Sequence, residues 1–252
     1  MFARIRALLT PFLALLFWQA LADSGWVSAY LLPAPLTVLD TFFRLYASGK
    51  LTLHVHSSLF RVFWGFTASC LIAFLLALLV CRFRPLEELL TAPLALLRMI
   101  PPLAMVPLLI LWLGIGHATQ ITIIVLASFF PIFLNSCAGL RRVTAAQREL
   151  ANSLHLGWRR YYRYVLLPAA TPSIVTGVRL AFGYSWRALI GAELIAASSG
   201  LGYLIIDAQG MQRTDEVIVG ILTIGLIGWL LDQLFSWAVV RTLGRRFAEL
   251  RA

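Results

Sequence analysis

Apolar residues along this chain come in long runs, and charged residues gather at the ends of those runs. A helix rises 1.5 Å per residue, so about 20 apolar residues carry it across the hydrocarbon of a bilayer. By that rule the sequence predicts about six spans, at residues 8–28, 57–81, 86–114, 118–139, 170–197 and 215–240. Asp23, Ser24 and Gly25 interrupt the first. Arg98 with Pro101, Pro102 and Pro107 breaks the third. Residues 32–56 carry spaced prolines and then an amphipathic run, which reads as an external loop with a short surface helix. The expected fold class is therefore all-α, a polytopic membrane protein. No stretch outside the spans is long enough for a second core, so residues 1–252 are expected to form one membrane domain.

Composition agrees with the pattern. Of 252 residues 60% are hydrophobic and only 13% charged, more apolar surface than a soluble core can absorb. The net charge of +10 lies in arginines at the span ends and not on a soluble face, which argues for membrane topology and against nucleic acid. With six spans, Arg4, Arg6, Arg82, Arg84, Arg141, Arg142, Arg148, Arg159, Arg160, Arg163, Arg241, Arg245, Arg246 and Arg251 share one side. The other side keeps Arg44, Lys50, Arg213 and, at its margin, Arg61. Positive charge stays inside, so both termini are expected to be cytoplasmic. The N-terminus resembles a secretory signal, but the spans that follow favour an uncleaved first span. Cys70, Cys81 and Cys137 lack metal or C-x-x-C spacing and read as small inert hydrophobes.

Candidate chemistry is sparse. The only lysine, Lys50, has Arg44 where a P-loop needs its first glycine, so this chain is not expected to bind nucleotide. An intramembrane serine protease at Ser199 would need a histidine base on a later span, yet His54, His56, His117 and His155 all come earlier. No catalytic or metal site is expected, and His54-x-His56 reads as a solvated loop pair. Charges inside spans say more, since each costs about 2.5–3.5 kcal/mol unless it meets water or a partner. Arg187 and Glu193, about 600° apart around one helix, are not placed to pair with each other, and each is expected to seek a partner on another span. Together with Arg98, Pro101 and Pro102 they are candidates for a polar path or for bracing the bundle; Asp232 is expected to brace.

Between Ala145 and Gly157 the text AAQRELANSLHLG reads as a short amphipathic helix, followed by the basic aromatic run WRRYYRYVLLP. Pro168 and Pro172 then open the fifth span. This stretch, about 141–168, resembles the EAA loop of ABC-transporter permeases, with the pattern E-A-A-x-x-x-G, nine residues, then I-x-L-P. Glu149, Ala151, Leu167 and Pro168 match. Leu150 replaces the middle alanine, and His155 takes the glycine position, leaving Gly157 to supply the turn. PAPLTVLDTFFRLYASG, IPPLAMVPLLILWLGIG and AELIAASSGLGYLI extend the likeness over about residues 30–245, toward permeases for aliphatic sulfonates, taurine or nitrate.

That resemblance implies a type I importer fold in a bacterial inner membrane, alternating access driven by partner ATPases that bind ATP and magnesium, and no cofactor on this chain. It further implies a periplasmic or lipid-anchored solute-binding protein, a second permease copy forming a homodimer, and Glu149, Ala151, His155, Gly157, Leu167 and Pro168 as the coupling loop. The solute implied is a small anion. A self-contained secondary transporter or channel is the alternative; it would show paired inverted halves with matching broken helices, and only the third span is broken.

Overall fold

The structure is a computed structural model that describes residues 2–243; Arg245, Arg246 and Arg251 of the charge argument lie outside the described residues. All regular structure among the described residues is helical. In chain order it comprises α1 (Phe2–Asp23), α2 (Pro35–Ala47), α3 (Lys50–Arg82), α4 (Arg84–Met99), a 3₁₀ turn (Pro102–Met105), α5 (Val106–Leu113) and α6 (His117–Leu140). Then follow α7 (Ala145–Ser153), α8 (Trp158–Tyr161), a π turn (Tyr162–Leu166), α9 (Leu167–Ala196), α10 (Leu201–Gly210) and α11 (Thr214–Leu243).

Four helical runs are long and apolar enough to cross a membrane: Lys50–Arg82, His117–Leu140, Trp158–Gly210, which contains α9, and Thr214–Val239. A fifth crossing arises if α4 and the Pro102–Leu113 segment, bent by 87° against each other, count as one. Residues Leu13–Asp23 of α1 form a shorter apolar helix. Two boundaries differ from the expectation. The 32–56 segment is not a loop beyond one short helix: after α2, Gly49 turns the chain at φ +74° and α3 begins at Lys50. Nor does proline open the fifth span. Pro168 sits at the second position of α9, the helical path already runs from Trp158 through the π turn, and Pro172 lies inside α9.

The chain divides into two compact units. One takes the chain up to Ser58 together with Ala197–Leu226. Here α2 buries Val38, Thr41 and Leu45. The Thr41 hydroxyl donates to Asp215 (2.6 Å), which also pairs with Arg44 (3.2 Å), while Lys50 reaches Asp207 and Glu216 (3.4 and 3.3 Å). The start of α10 is capped by α3: the Gly200 N–H donates to His54 Nδ1 (3.1 Å) and the Leu201 N–H to Ser58 Oγ (2.9 Å). His54 is thus a buried cap and not half of a solvated pair, because those two orphan N–H groups need acceptors where water is excluded; His56 is exposed.

The other unit takes Leu59–Ala196 and the chain from Ile227 on. Its core gathers Ala73, Ala77, Phe129, Ile132, Phe133 and Ala181 among others, with the Phe129 and Phe133 rings stacked at 5.6 Å. Helices α6 and α9 approach closely at Gly139 and Gly177. A Cβ on Gly139 would stand 2.7 Å from the Ala170 carbonyl oxygen, and one on Gly177 would stand 2.5 Å from Asn135 Cβ. Small residues of this kind let backbones meet where no hydrophobic drive separates helix from lipid. Arg179 holds Asp232 through two hydrogen bonds (3.3 and 3.1 Å), tying α9 to α11.

Candidate functional site

The break after α4 begins with two consecutive prolines. Neither Pro101 nor Pro102 has an N–H, and the residue before a proline is driven out of the helical region. Ile100 (ψ 118°) and Pro101 (ψ 129°) are accordingly extended, and the axis turns. Irregular backbone is tolerated at depth where it borders a cavity. Such a cavity, about 610 Å³ in volume, lies against the break, lined by Arg98, Pro101 and Pro102, by Asn135 of α6, and by Tyr184 and Arg187 of α9. The remaining wall is mostly apolar, including Met105 and Leu126. Among the described residues neither Arg98 nor Arg187 has an ion-pair partner, and both side chains are exposed. The structure thus brings four of the five path candidates to one cavity.

The fifth, Glu193, goes elsewhere. It is 1% exposed and accepts from Arg61 Nη1 at 2.5 Å, while Arg61 Nε donates to His117 Nδ1 at 3.1 Å. Arg61 itself is 1% exposed inside α3, which corrects its placement at the margin of an external loop. Sequence reasoning missed this pair because Arg61, near the start of the 57–81 span, counts there with the charges at the margin of the external side. The available signal was stoichiometric: a lone cation in apolar text on one span and a lone carboxylate on another. Asn135 and Tyr184 were also missed, since only the packing of α6 on α9 turns them to the cavity.

The second region is the segment after α6. Arg141 ends α6 and pairs with Glu87 of α4 at 2.6 Å. The Glu87 hydrogen bond is the main reason that the Arg141 guanidinium holds its proton more firmly than usual. Helix α7 starts on a capping box: Thr144 Oγ1 accepts from the Gln147 N–H (3.2 Å) and Gln147 Oε1 accepts from the Thr144 N–H (3.0 Å). It ends on a Schellman motif, with Leu156 N–H donating to Ala151 O (3.0 Å) and His155 N–H to Asn152 O (2.9 Å). That motif requires a left-handed residue, and His155 supplies it at φ +49°. Gly157 has φ −58° and ψ 152° and stands as the N-cap of α8. The glycine two residues on therefore does not take over the turn; the histidine itself adopts the conformation that the glycine position demands.

Of the coupling-loop candidates, Ala151 and Pro168 line one groove of about 430 Å³ together with Leu150, Leu154 and Tyr164. Glu149, His155 and Gly157 are exposed outside it, and Leu167 begins α9. Leu150 and Leu154 are 61% and 62% exposed, so the apolar stripe of α7 is displayed while Ala151 beside it is buried.

Membrane-length helices beside an open cavity, joined to a capped helical insert that displays leucines, give the outline of a multi-pass membrane transport protein. Residues 69–247 match the family described as binding-protein-dependent transport system inner membrane component, and the chain belongs to that family. It is 36% identical over 247 residues to a putative aliphatic sulfonates transport permease of Bacillus subtilis, covering 98% of this chain and 88% of that one. It is 32% identical over 220 residues to the taurine transport system permease of Escherichia coli (85% and 80% covered). With a nitrate import permease of a Synechocystis strain it shares 31% over 232 residues (88% and 83%). The crystal structure of an amino acid ABC transporter with histidines matches the fold with a TM-score of 0.61 at 19% identity, covering 82% of this chain and 96% of that chain. The protein is thus the multi-pass membrane component of an ABC importer that works with ATPase and solute-binding partners, and its relatives are permeases and not enzymes. They do not favour the self-contained transporter alternative.

Proposed function

We propose that this chain forms, as a homodimer, the translocation pathway for a small anion of the sulfonate, taurine or nitrate type. Both termini face the ATPases, which carry ATP and magnesium while this chain holds no cofactor. The observation that carries the reading is the cavity of about 610 Å³ in which Arg98 and Arg187 face open space without a carboxylate partner among the described residues. A cation within a membrane segment that has no counter-ion is costly unless it meets water or a partner, and an anionic cargo passing through the cavity would supply that partner intermittently. Its apolar walls suit a short aliphatic part. The names of the relatives support the same substrate class. One coupling segment per chain supports two copies, since two ATPases need two. Glu149, Ala151, His155, Gly157, Leu167 and Pro168 belong to the segment through which nucleotide-driven motion reaches the helices.

The test is ATP-driven uptake of taurine, a short alkanesulfonate and nitrate by proteoliposomes holding the permease, its ATPase and its binding protein. Arg98→Gln and Arg187→Gln should each lower uptake about tenfold or more, as expected for losing one charge-assisted contact, with binding-protein affinity and complex assembly unchanged. Uptake indifferent to both substitutions, or confined to uncharged solutes, would sink the reading.

A further inference from the structure

The sequence reading took all three cysteines as inert, and the structure separates them. Cys81 is the penultimate residue of α3 and Cys137 lies in the last turn of α6. Both pack against the same apolar cluster, both are half-buried, and their thiols are hydrogen-bonded to each other. The Arg141 guanidinium, fixed by its 2.6 Å pair with Glu87, also reaches the Cys81 sulfur. Cys137, Arg141 and Glu87 line a second cavity of about 280 Å³, which brings a small molecule to the Cys137 side of the pair. Cys70 lies 11 residues earlier on α3, about 16 Å along the axis.

From this cluster we infer that Cys81 and Cys137 are an oxidisable dithiol: a peroxide closes them into a disulfide that pins the end of α3 to the end of α6 and slows the transporter. Two thiols in hydrogen-bond contact across two helices are within reach of the short S–S bond that a disulfide needs. Cys81 is the attacking sulfur, since it is the one that the Arg141 guanidinium lies against. It attacks one peroxide oxygen, which keeps its hydrogen and becomes the Cys81 sulfenic acid; the O–O bond breaks, and the other oxygen leaves with its own hydrogen and the thiol proton as water. Cys137 then attacks the Cys81 sulfur, the S–O bond breaks, and the hydroxyl leaves with the Cys137 proton as a second water. Two thiols lose two electrons and one peroxide becomes two waters. The functional effect follows from position. Only residues 141–144 separate the end of α6 from α7, so tethering α6 to α3 restrains the element that leads into the exposed leucine helix.

Membranes containing the assembled importer are treated with hydrogen peroxide, blocked with N-ethylmaleimide and mapped by peptide mass spectrometry, and ATP hydrolysis by the same complex is measured. The expected result is a Cys81–Cys137 cross-linked peptide with Cys70 still alkylated, and ATP hydrolysis reduced several-fold and restored by dithiothreitol. Cys81→Ser and Cys137→Ser should keep their activity in peroxide; Cys81→Ala replaces the first if serine impairs assembly. The inference is overturned if both thiols remain alkylatable after peroxide. It is equally overturned if the disulfide forms with ATP hydrolysis unchanged, or if the cysteine variants lose activity as the parent does. None of these readouts depends on which solute is carried.

Discussion

A buried ion pair and one left-handed residue show how single positions carry the design. Glu193 and Arg61 are each 1% exposed and meet at 2.5 Å, so removing one charge strands the other where solvent cannot reach it. Glu193→Ala should destabilise the permease by about 3–5 kcal/mol, whereas replacing both partners by apolar residues of similar volume should recover most of the loss. Thermal unfolding of the detergent-solubilised variants checks this, and a single variant as stable as the parent would remove the pair from the account. His155 tests the opposite sign. A non-glycine residue in the left-handed region costs about 1–2 kcal/mol, offset by about 0.4–1 kcal/mol because glycine frees the unfolded chain. His155→Gly should therefore leave stability unchanged or raise it by roughly 1 kcal/mol, while His155→Val, β-branched at φ +49°, should lower it. Protease sensitivity of the α7–α8 turn would report the difference directly.

Elements are decided by what the chain cannot do locally. Proline at two successive positions ends α4 and turns the axis by 87°, and that turn leaves the cavity wall. The text IPPLAMVP announces a break, which was legible; its angle was not, because it depends on what α5 packs against. Leu103 fills the space over Gly191, whose Cβ would come within 2.8 Å of that side chain. Gly177 is the corresponding close approach of α9 to α6. Gly177→Ala places a methyl against Asn135 and the Pro131 carbonyl oxygen, at 2.5 and 2.8 Å, so the helices must part. The expected loss is about 1–3 kcal/mol, and uptake should fall with it, since Pro131 and Asn135 line the cavity. A fully stable Gly177→Ala protein with normal uptake would show that the α6–α9 contact yields without consequence.

For the whole molecule, the question is how a membrane chain takes orders from a soluble ATPase. Leu150 and Leu154, more than half exposed on a capped helix, are placed to be covered by a partner. Leu150→Asp with Leu154→Asp should abolish co-purification of the ATPase while the permease still folds, because both side chains lie outside the core; pull-down and thermal unfolding on the same preparation separate the outcomes. Retained co-purification would place the docking surface elsewhere.

Long apolar runs determined, by themselves, that this chain spans a membrane and where four crossings lie, since satisfying backbone polar groups in hydrocarbon leaves helices as the simple solution. The order of motifs, from the broken third span to Glu149 and Pro168, determined the family. What only the tertiary structure decided are the pairings between distant positions. Arg61 with Glu193, His54 with Gly200 and Cys81 with Cys137 join residues from separate elements, and Arg98 and Arg187 from separate helices line one cavity. The physical reason is common to them. Periodicity tells which residues share a face of one helix, but a polar group in an apolar medium takes its partner from whichever helix packs against it, and packing is a property of the assembled fold.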